Sequence, residues 1–549
     1  MEENYFQIEF SKKSFLNPLI FYTATIIYLE IIFHLIVYGS IDYKIIFPIL
    51  FALPLALLFT ILSSLAREKV NKIIMWVLTG LVSFVFVFQL LYYDFFKVLF
   101  SVQTMGMVGN AISEFYKSGL MVIKDNILTI ILVGLPMIVL YNVQDEFFKF
   151  KKREIKSQGI LSGGVIVSHI CAVLALFLFG QGHYSPYDLY HNNRVPELTG
   201  MQLGLVTHTR FDLEGLLKIE DELVLADTSE DVWKVTPTKS PESTSVPKPT
   251  KAPEPELTPV PTITPTPTPI PIDTSPNVID INFAELAESE SNQTIKTLHN
   301  YFASAKATNR NEFTGMFEGY NLILITAEGF APYAVHKEKT PTLYKLVNSG
   351  FVFNNFYTPL WQTSTSDGEF VVLNGLIPVG TRSMYYSRDN LFPFSLGHGF
   401  NNLGIQSKAY HNHTYTYYER DQTHTNLGYD FVAIGNGLVL ETNSWPRSDL
   451  EMINNTVDDF VNDDSFHVYY LTVSGHANYT FAGNSMSNKN RDLVKDLPYS
   501  SDARAYLACQ IELDKALETL IERLEQAGVA DKTLIALSAD HYPYGWEKE

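Results

Sequence analysis

A bundle of membrane-crossing helices followed by an outer α/β domain with a largely parallel sheet is the architecture this chain predicts. Three observations carry that prediction. Apolar residues crowd into the first third of the 549 residues. A Pro-, Thr-, Ser- and Glu-dominated segment then breaks the sequence. Beyond it, short β-rich runs alternate with helical patterns, which is the signature of βαβ units.

The membrane prediction rests on five apolar stretches: Leu16 to Tyr38, Ile45 to Leu65, Ile73 to Tyr93, Ile127 to Val143 and Ile160 to Phe179. Each matches or approaches the roughly 20 residues that a helix needs to cross a hydrocarbon layer. The first is too long for a signal peptide and lacks a small-residue cleavage site, so it stays in the protein. Lys12 and Lys13 precede span one, Arg67, Lys69 and Lys72 separate spans two and three, and Lys149, Lys151, Lys152, Arg153 and Lys156 separate spans four and five. Cations gather on cytoplasmic loops, which puts the N-terminus inside and everything after Phe179 outside. The chain therefore reads as a multi-pass membrane protein with its polar remainder outside. Within span one, Glu30 and His34 share a helical face. A polar pair between helices is the preferred reading, with a head-group or proton site as the alternative.

The formal charge of −19 lies mostly outside the apolar third and excludes the basic face that nucleic acid requires. Only Cys171 and Cys509 occur, and Cys171 sits inside a span, so the outer domain has no disulfide of its own. The expected domain limits are 1–182 for the spans, 183–227 for a juxtamembrane segment, 228–277 for the linker and 278–549 for the outer domain. The linker peaks in Pro-Thr-Pro-Thr-Pro at Pro265 to Pro269 and favours extended polyproline II. At about 3.1 Å per residue it could reach on the order of 100 Å, tethering the outer domain at a variable distance from the bilayer.

In the outer domain the expected strands are Asn321 to Ala327, Gly404 to Tyr410, His467 to Val473 and Thr533 to Ala539. The expected helices are Pro341 to Ser349, one opening at Ser366, Asp449 to Val461 and about Asp502 to Ala527. Ligands of such sheets gather at the carboxyl ends of strands. Glu328 follows the first strand, His411 and His413 the second, Ser474 to His476 the third, and Asp540 with His541 the fourth. Any one acid in such a place is commonly a helix cap. Adjacent Asp540 and His541 offer mixed oxygen and nitrogen ligands suited to Mn²⁺, Mg²⁺ or Zn²⁺. The run Trp361 to Phe370 ends a loop and opens a helix, so Ser364, Thr365 or Ser366 would serve equally as a cap. A helix N-terminus also stabilises a phosphate oxyanion, which would suit a hydroxyl nucleophile placed there.

Five motifs occur in order: Ile323-Leu-Ile-Thr-Ala-Glu328, Gln362-Thr-Ser-Thr-Ser-Asp-Gly-Glu-Phe370, Tyr417-Tyr-Glu-Arg-Asp421 before Gly428-Tyr-Asp430, Ser474-Gly-His476, and Ser538-Ala-Asp-His-Tyr542. With them the chain resembles, over nearly its whole length, the membrane-bound lipoteichoic acid synthases and related phosphoglycerol transferases of the alkaline phosphatase/sulfatase superfamily. The resemblance implies an alkaline phosphatase/sulfatase-type α/β domain with Thr365 as nucleophile. It also implies that Glu328, Thr365, Asp540 and His541 hold one divalent metal, Mn²⁺ first. Arg420 and His476 match residues that contact the substrate phosphate, and His411 matches a His near the site. Thr326, Tyr418, His413 and Gly545 depart from the family pattern, so the head-group pocket is altered. Glu549 follows closely on His541, whereas sheets of this superfamily normally continue, so part of the domain is expected to be missing.

The resemblance implies transfer of a phosphoglycerol group from phosphatidylglycerol or a similar phospholipid to a cell-envelope polymer or glycolipid, through a phospho-threonine. The alternatives are a phosphoethanolamine transferase, a sulfatase-like hydrolase or a truncated inactive homologue. A formylglycine sulfatase needs Cys or Ser in a C/S-x-P-x-R setting, and Cys509 is followed by Gln510-Ile-Glu-Leu513.

Overall fold

The computed structural model of the chain describes residues 2–102, 119–120, 122–148, 150, 152–192, 194–217, 272–358, 365–378 and 383–544. Among the described residues, five helices are long and apolar enough to cross a membrane: Pro18–Val37, Tyr43–Leu62, Glu68–Phe96, Ile127–Asp145 and Ile155–Phe179. They lie in α1 (Glu2–Val37), α2 (Ile46–Leu62, entered through a 3-10 turn), α3 (Glu68–Phe96), α4 (Ile127–Phe147) and α5 (Ile155–Leu176, continued by a 3-10 turn). Their shared interior joins Tyr22, Ile26 and Phe33 of α1 to Ala52 and Phe59 of α2, Met75 and Phe86 of α3, and Val133 and Leu140 of α4. Along α3, Ile73, Val77, Leu81 and Phe84 instead form an exposed stripe, each at least 55% accessible. Spaced four, four and three apart on one helical face, they suit lipid and not water.

The segment expected to lie on the membrane forms three helices: α6 (Pro186–His191), α7 (Pro196–Leu203) and α8 (Leu205–Leu217). They explain the polar pair in span one. The backbone N–H groups of Leu205 and Val206 donate to the two carboxylate oxygens of Glu30, at 3.0 and 2.9 Å. Glu30 thus satisfies the orphan donors at the start of α8. Gly204 (φ +88°) permits the approach, because a Cβ there would lie 2.8 Å from the carboxylate. Both ring nitrogens of His34 meet backbone carbonyls, Glu30 O at 2.8 Å and Met201 O at 3.1 Å. The structural reading of the pair accounts for all of these contacts.

The described residues 272–319 belong to a second unit, which contains the helices Phe283–Ser289 and Gln293–Ser304. The Pro/Thr run up to residue 271 and the end of the juxtamembrane segment from residue 218 lie outside the described residues.

The outer α/β domain holds a five-stranded, all-parallel sheet of order β3-β2-β4-β1-β5. The strands are β1 (Asn321–Ala327), β2 (Ser407–Thr414), β3 (Asp430–Ile434), β4 (His467–Leu471) and β5 (Thr533–Ala539). The helices that position the site are α9 (Pro341–Val347), α10 (Thr365–Asn374), α11 (Arg420–Asn426), α12 (Asp449–Thr456) and α13 (Ser501–Gln526). Strands β1 and β4 are buried almost throughout, as inner parallel strands must be. One face of the sheet packs Ile323, Ile325, Val468 and Tyr470 on α12 and on Leu513, Leu517 and Leu520 of α13, and the other packs Leu324, Tyr469 and Leu471 on Phe370 and Leu373 of α10. Two expectations need correction. Strand β3 was not foreseen, and β2 runs through His411 and His413, which therefore lie inside the strand, beside a register shift between His411 and Thr414.

Candidate metal and phosphoryl-transfer site

Adjacent parallel strands end side by side, and here the ends of β1 and β5 bring three ligand groups together. The ligand atoms of Glu328, Asp540 and His541, all buried, lie within 4.8 Å of one another. His541 Nε2 is 3.1 Å from Glu328 Oε1 and 3.3 Å from Asp540 Oδ2. Close backbone approach holds the cluster. Gly329 N and His541 N donate to Asp540 Oδ1 at 2.8 and 2.6 Å. The Tyr506 hydroxyl donates to Gly329 O at 3.0 Å and accepts from Ala331 N at 2.9 Å. A Cβ on Gly368 would stand 2.3 Å from Asp540 O, and one on Gly475 would stand 2.1 Å from Glu328 O. Any side chain at either position would push the loops apart.

Thr365 is the first residue of α10, and its hydroxyl donates to Glu328 Oε2 at 3.5 Å. The structure therefore brings Glu328, Thr365, Asp540 and His541 together. Trp361 to Ser364 and Gly545 lie outside the described residues.

The cluster fits a divalent cation. His541 Nδ1 donates to Tyr542 O at 2.7 Å, which turns Nε2 toward two carboxylates. Asp540 Oδ2 is buried without a hydrogen-bond partner. Burial and the neighbouring Glu328 charge push the Asp540 carboxyl well above the usual carboxylate range. Burial would lower His541, yet Asp540 and Glu328 raise it to about 9. Without a cation a proton must hold these groups together; two carboxylates, an imidazole and a hydroxyl suit Mn²⁺, Mg²⁺ or Zn²⁺.

Arg420, the first residue of α11, is 1% exposed. Its Nε and Nη2 fork onto Glu369 Oε2 at 3.0 and 2.7 Å. Glu369, one turn after Thr365 on α10, also meets His424 Nε2 at 3.1 Å and accepts from the Tyr469 hydroxyl at 3.4 Å. Burial would raise the Glu369 carboxyl, but Arg420 and His424 hold it at about 2. Arg420 Nη1 points to His411 Nε2 at 3.5 Å, while His411 Nδ1 donates to Leu471 O at 3.0 Å. Burial, then Arg420, keeps that imidazole neutral. Consecutive left-handed residues Tyr418 and Glu419, both at φ 55°, turn the chain into α11 just before Arg420. Two such residues together cost on the order of a few kcal/mol, so the packing around Arg420 must hold them.

Half-buried rings join the two parts of the site. The Arg420 guanidinium lies 5.1 Å from the Tyr418 ring. Ring contacts then run from Tyr418 to Tyr417 at 4.5 Å, Tyr417 to His413 at 5.0 Å, His413 to Trp445 at 4.9 Å and Trp445 to His476 at 5.0 Å. Burial would raise the Glu328 carboxyl, but His541 first and then His476 lower it to about 2. Sequence reasoning gave no role to Glu369, His424, Trp445 or Asp449. Glu369 stood inside a quoted motif, but its partners lie on α11, 51 and 55 residues on.

Five membrane-type helices ahead of a parallel sheet with a carboxylate, imidazole and hydroxyl cluster at its strand ends define a membrane-anchored sulfatase-type protein. The Sulfatase family matches residues 320–548 and the Lipoteichoic acid synthase N-terminal domain family matches residues 2–214. By these matches the chain is a lipoteichoic acid synthase-like protein with a Sulfatase-family domain. The lipoteichoic acid synthase-like YvgJ of Bacillus subtilis (strain 168) is 23% identical over 280 residues, covering 49% of this chain and 44% of that protein. The lipoteichoic acid synthase of Staphylococcus aureus (strain USA300) is 26% identical over 264 residues, covering 44% and 39%. The crystal structure of the lipoteichoic acid synthase LtaP from Listeria monocytogenes aligns with 42% of this chain and 58% of that chain at 22% identity and a TM-score of 0.38. The matched part of this chain thus spans less than half the length of these curated relatives.

Proposed function

We propose that the chain is a membrane-bound phosphoglycerol transferase whose catalytic domain begins at Tyr320 and lies outside the cell, with the N-terminus of α1 in the cytoplasm. The observation that carries this reading is the Thr365 hydroxyl at the start of α10, beside the Glu328, Asp540 and His541 cluster. Glu328, Thr365, Asp540 and His541 would hold one divalent cation, Mn²⁺ by preference, which would supply Lewis-acid stabilisation of phosphate charge. Thr365 gives up its proton toward Glu328 Oε2, and its oxygen forms a bond to the phosphorus of phosphatidylglycerol. The bond from phosphorus to the diacylglycerol oxygen breaks, and that oxygen takes a proton from His476. A hydroxyl of a cell-envelope polymer or glycolipid then gives its proton to His476 as its oxygen bonds to the phosphorus of the glycerophospho-threonine; the phosphorus–Thr365 oxygen bond breaks, and Thr365 takes its proton back from Glu328. In this reading Arg420, held by Glu369, pairs with the phosphate oxygens when the donor binds, and His411, His413 and Tyr418 line the head-group side.

In membranes supplied with Mn²⁺ and labelled phosphatidylglycerol, Thr365→Ala should lower diacylglycerol release on the order of a thousandfold or more. Release at the wild-type rate would remove Thr365 from the reaction.

A further inference from the structure

The loop that carries Asp540 and His541 continues onto the end of a membrane-crossing helix. The Tyr544 ring stacks on His541, with centroids 4.3 Å apart and planes at 17°, and meets the Phe96 ring edge-on at 5.7 Å. The Tyr542 hydroxyl donates to Phe96 O at 3.3 Å. Phe96 is the last residue of α3, and Lys97 ends that helix in the left-handed conformation (φ 59°). Its neighbour Phe95 packs against a buried cluster that includes Ala331, Ala334, Ala477, Tyr479 and Tyr506, from the loops after β1 and β4 and from α13. Loops on both sides of the ligand cluster therefore rest on the last turn of one helix.

We propose that Phe95 and Phe96 form a docking post that holds the reaction centre at the bilayer surface, so that the donor is a phospholipid head group in the outer leaflet and not a phosphodiester in solution. The donor class rests on the function proposed above; the docking rests on contacts alone. At about 1.5 Å per residue, the 29 residues of α3 exceed the roughly 30 Å of hydrocarbon, and the exposed apolar stripe keeps the helix in lipid. Phe96 thus emerges near the head-group layer, where aromatic side chains are favoured. Thr365 connects to this helix end through Glu328, His541 and Tyr544. A flexible tether alone would leave the site to find lipid phosphates by search, whereas a post fixes it among them.

The test compares two donors on the full chain with Mn²⁺: phosphatidylglycerol in vesicles and the soluble p-nitrophenyl ester of glycerol phosphate. Phe96→Glu should lower turnover of the vesicle donor about tenfold or more while changing the soluble donor by no more than about twofold. Phe96→Trp should restore the vesicle rate. Unchanged vesicle turnover, or equal loss on both donors, overturns the post. A second readout needs no catalysis: with Cys171 and Cys509 replaced, a Phe96→Cys, Tyr544→Cys pair should be joined by a short bismaleimide in intact membranes. Failure to join overturns the docking. Joining with neither donor used supports the docking and overturns the reaction proposed above.

Discussion

Glu369 shows how a single buried charge organises this site. It ties α10, which presents Thr365, to Arg420 and His424 on α11, and it is 0% exposed. Replacing one member of such a pair strands the other in a low-dielectric interior, at a cost of about 3–5 kcal/mol. The pH dependence follows from its depressed carboxyl, held at about 2 against an ordinary value of 4.5. A depressed carboxyl gives stability that is present above about pH 4.5 and is lost as pH falls toward 2. Glu369→Gln should therefore lower stability by about 3 kcal/mol at pH 7, and the gap should shrink below pH 4.5. Thermal unfolding of wild type and variant at pH 7 and pH 3 checks this; an equal gap at both values contradicts the charge-based account. At this scale the sequence exposed the cluster residues, because Glu328, Asp540 and His541 directly follow strands. It hid Glu369, because a pairing across some fifty residues leaves no mark in local spacing.

Between elements, the turn that carries His476 is held by the start of α12. Val473 N and Ser474 N donate to Asp449 Oδ1 at 2.9 and 3.1 Å, and Asn412 Nδ2 donates to it at 2.8 Å. Asp449 Oδ2 is buried without a partner. Burial raises this carboxyl to about 6 despite the donated hydrogen bonds. A raised carboxyl favours the folded state in its protonated form, so its contribution is complete below about pH 4 and is lost as pH rises through 6. Relative to Asp449→Asn, wild type should lose about 3 kcal/mol of stability between pH 4 and pH 8. Parallel stability curves for the two proteins would contradict that assignment. Strands β1 and β5 were legible to the residue, because unbroken apolar runs mark strands of a parallel sheet. Strand β3 was not, since its five residues lie between Gly428, Gly435 and Gly437 and alternate in burial at the sheet edge. Histidines and a terminal Thr likewise obscured the far end of β2, where the register shifts.

Across the whole molecule, composition made the membrane helices legible, because a hydrocarbon layer demands long apolar runs and little else. Pairing across the chain was not legible. Glu30 on α1 caps α8, some 175 residues away. The linker's length suggested an enzyme domain held at a variable distance from the bilayer, whereas Tyr542 and Tyr544 lie against the end of α3. The central claim is that Thr365 carries the transferred group, and trapping that intermediate tests it most directly. The full chain would be incubated with phosphatidylglycerol and Mn²⁺ without acceptor, digested and examined by mass spectrometry. One glycerophosphoryl group is expected on the peptide containing Thr365 and none in Thr365→Ala. The same adduct on another residue, or diacylglycerol release without any adduct, would contradict it.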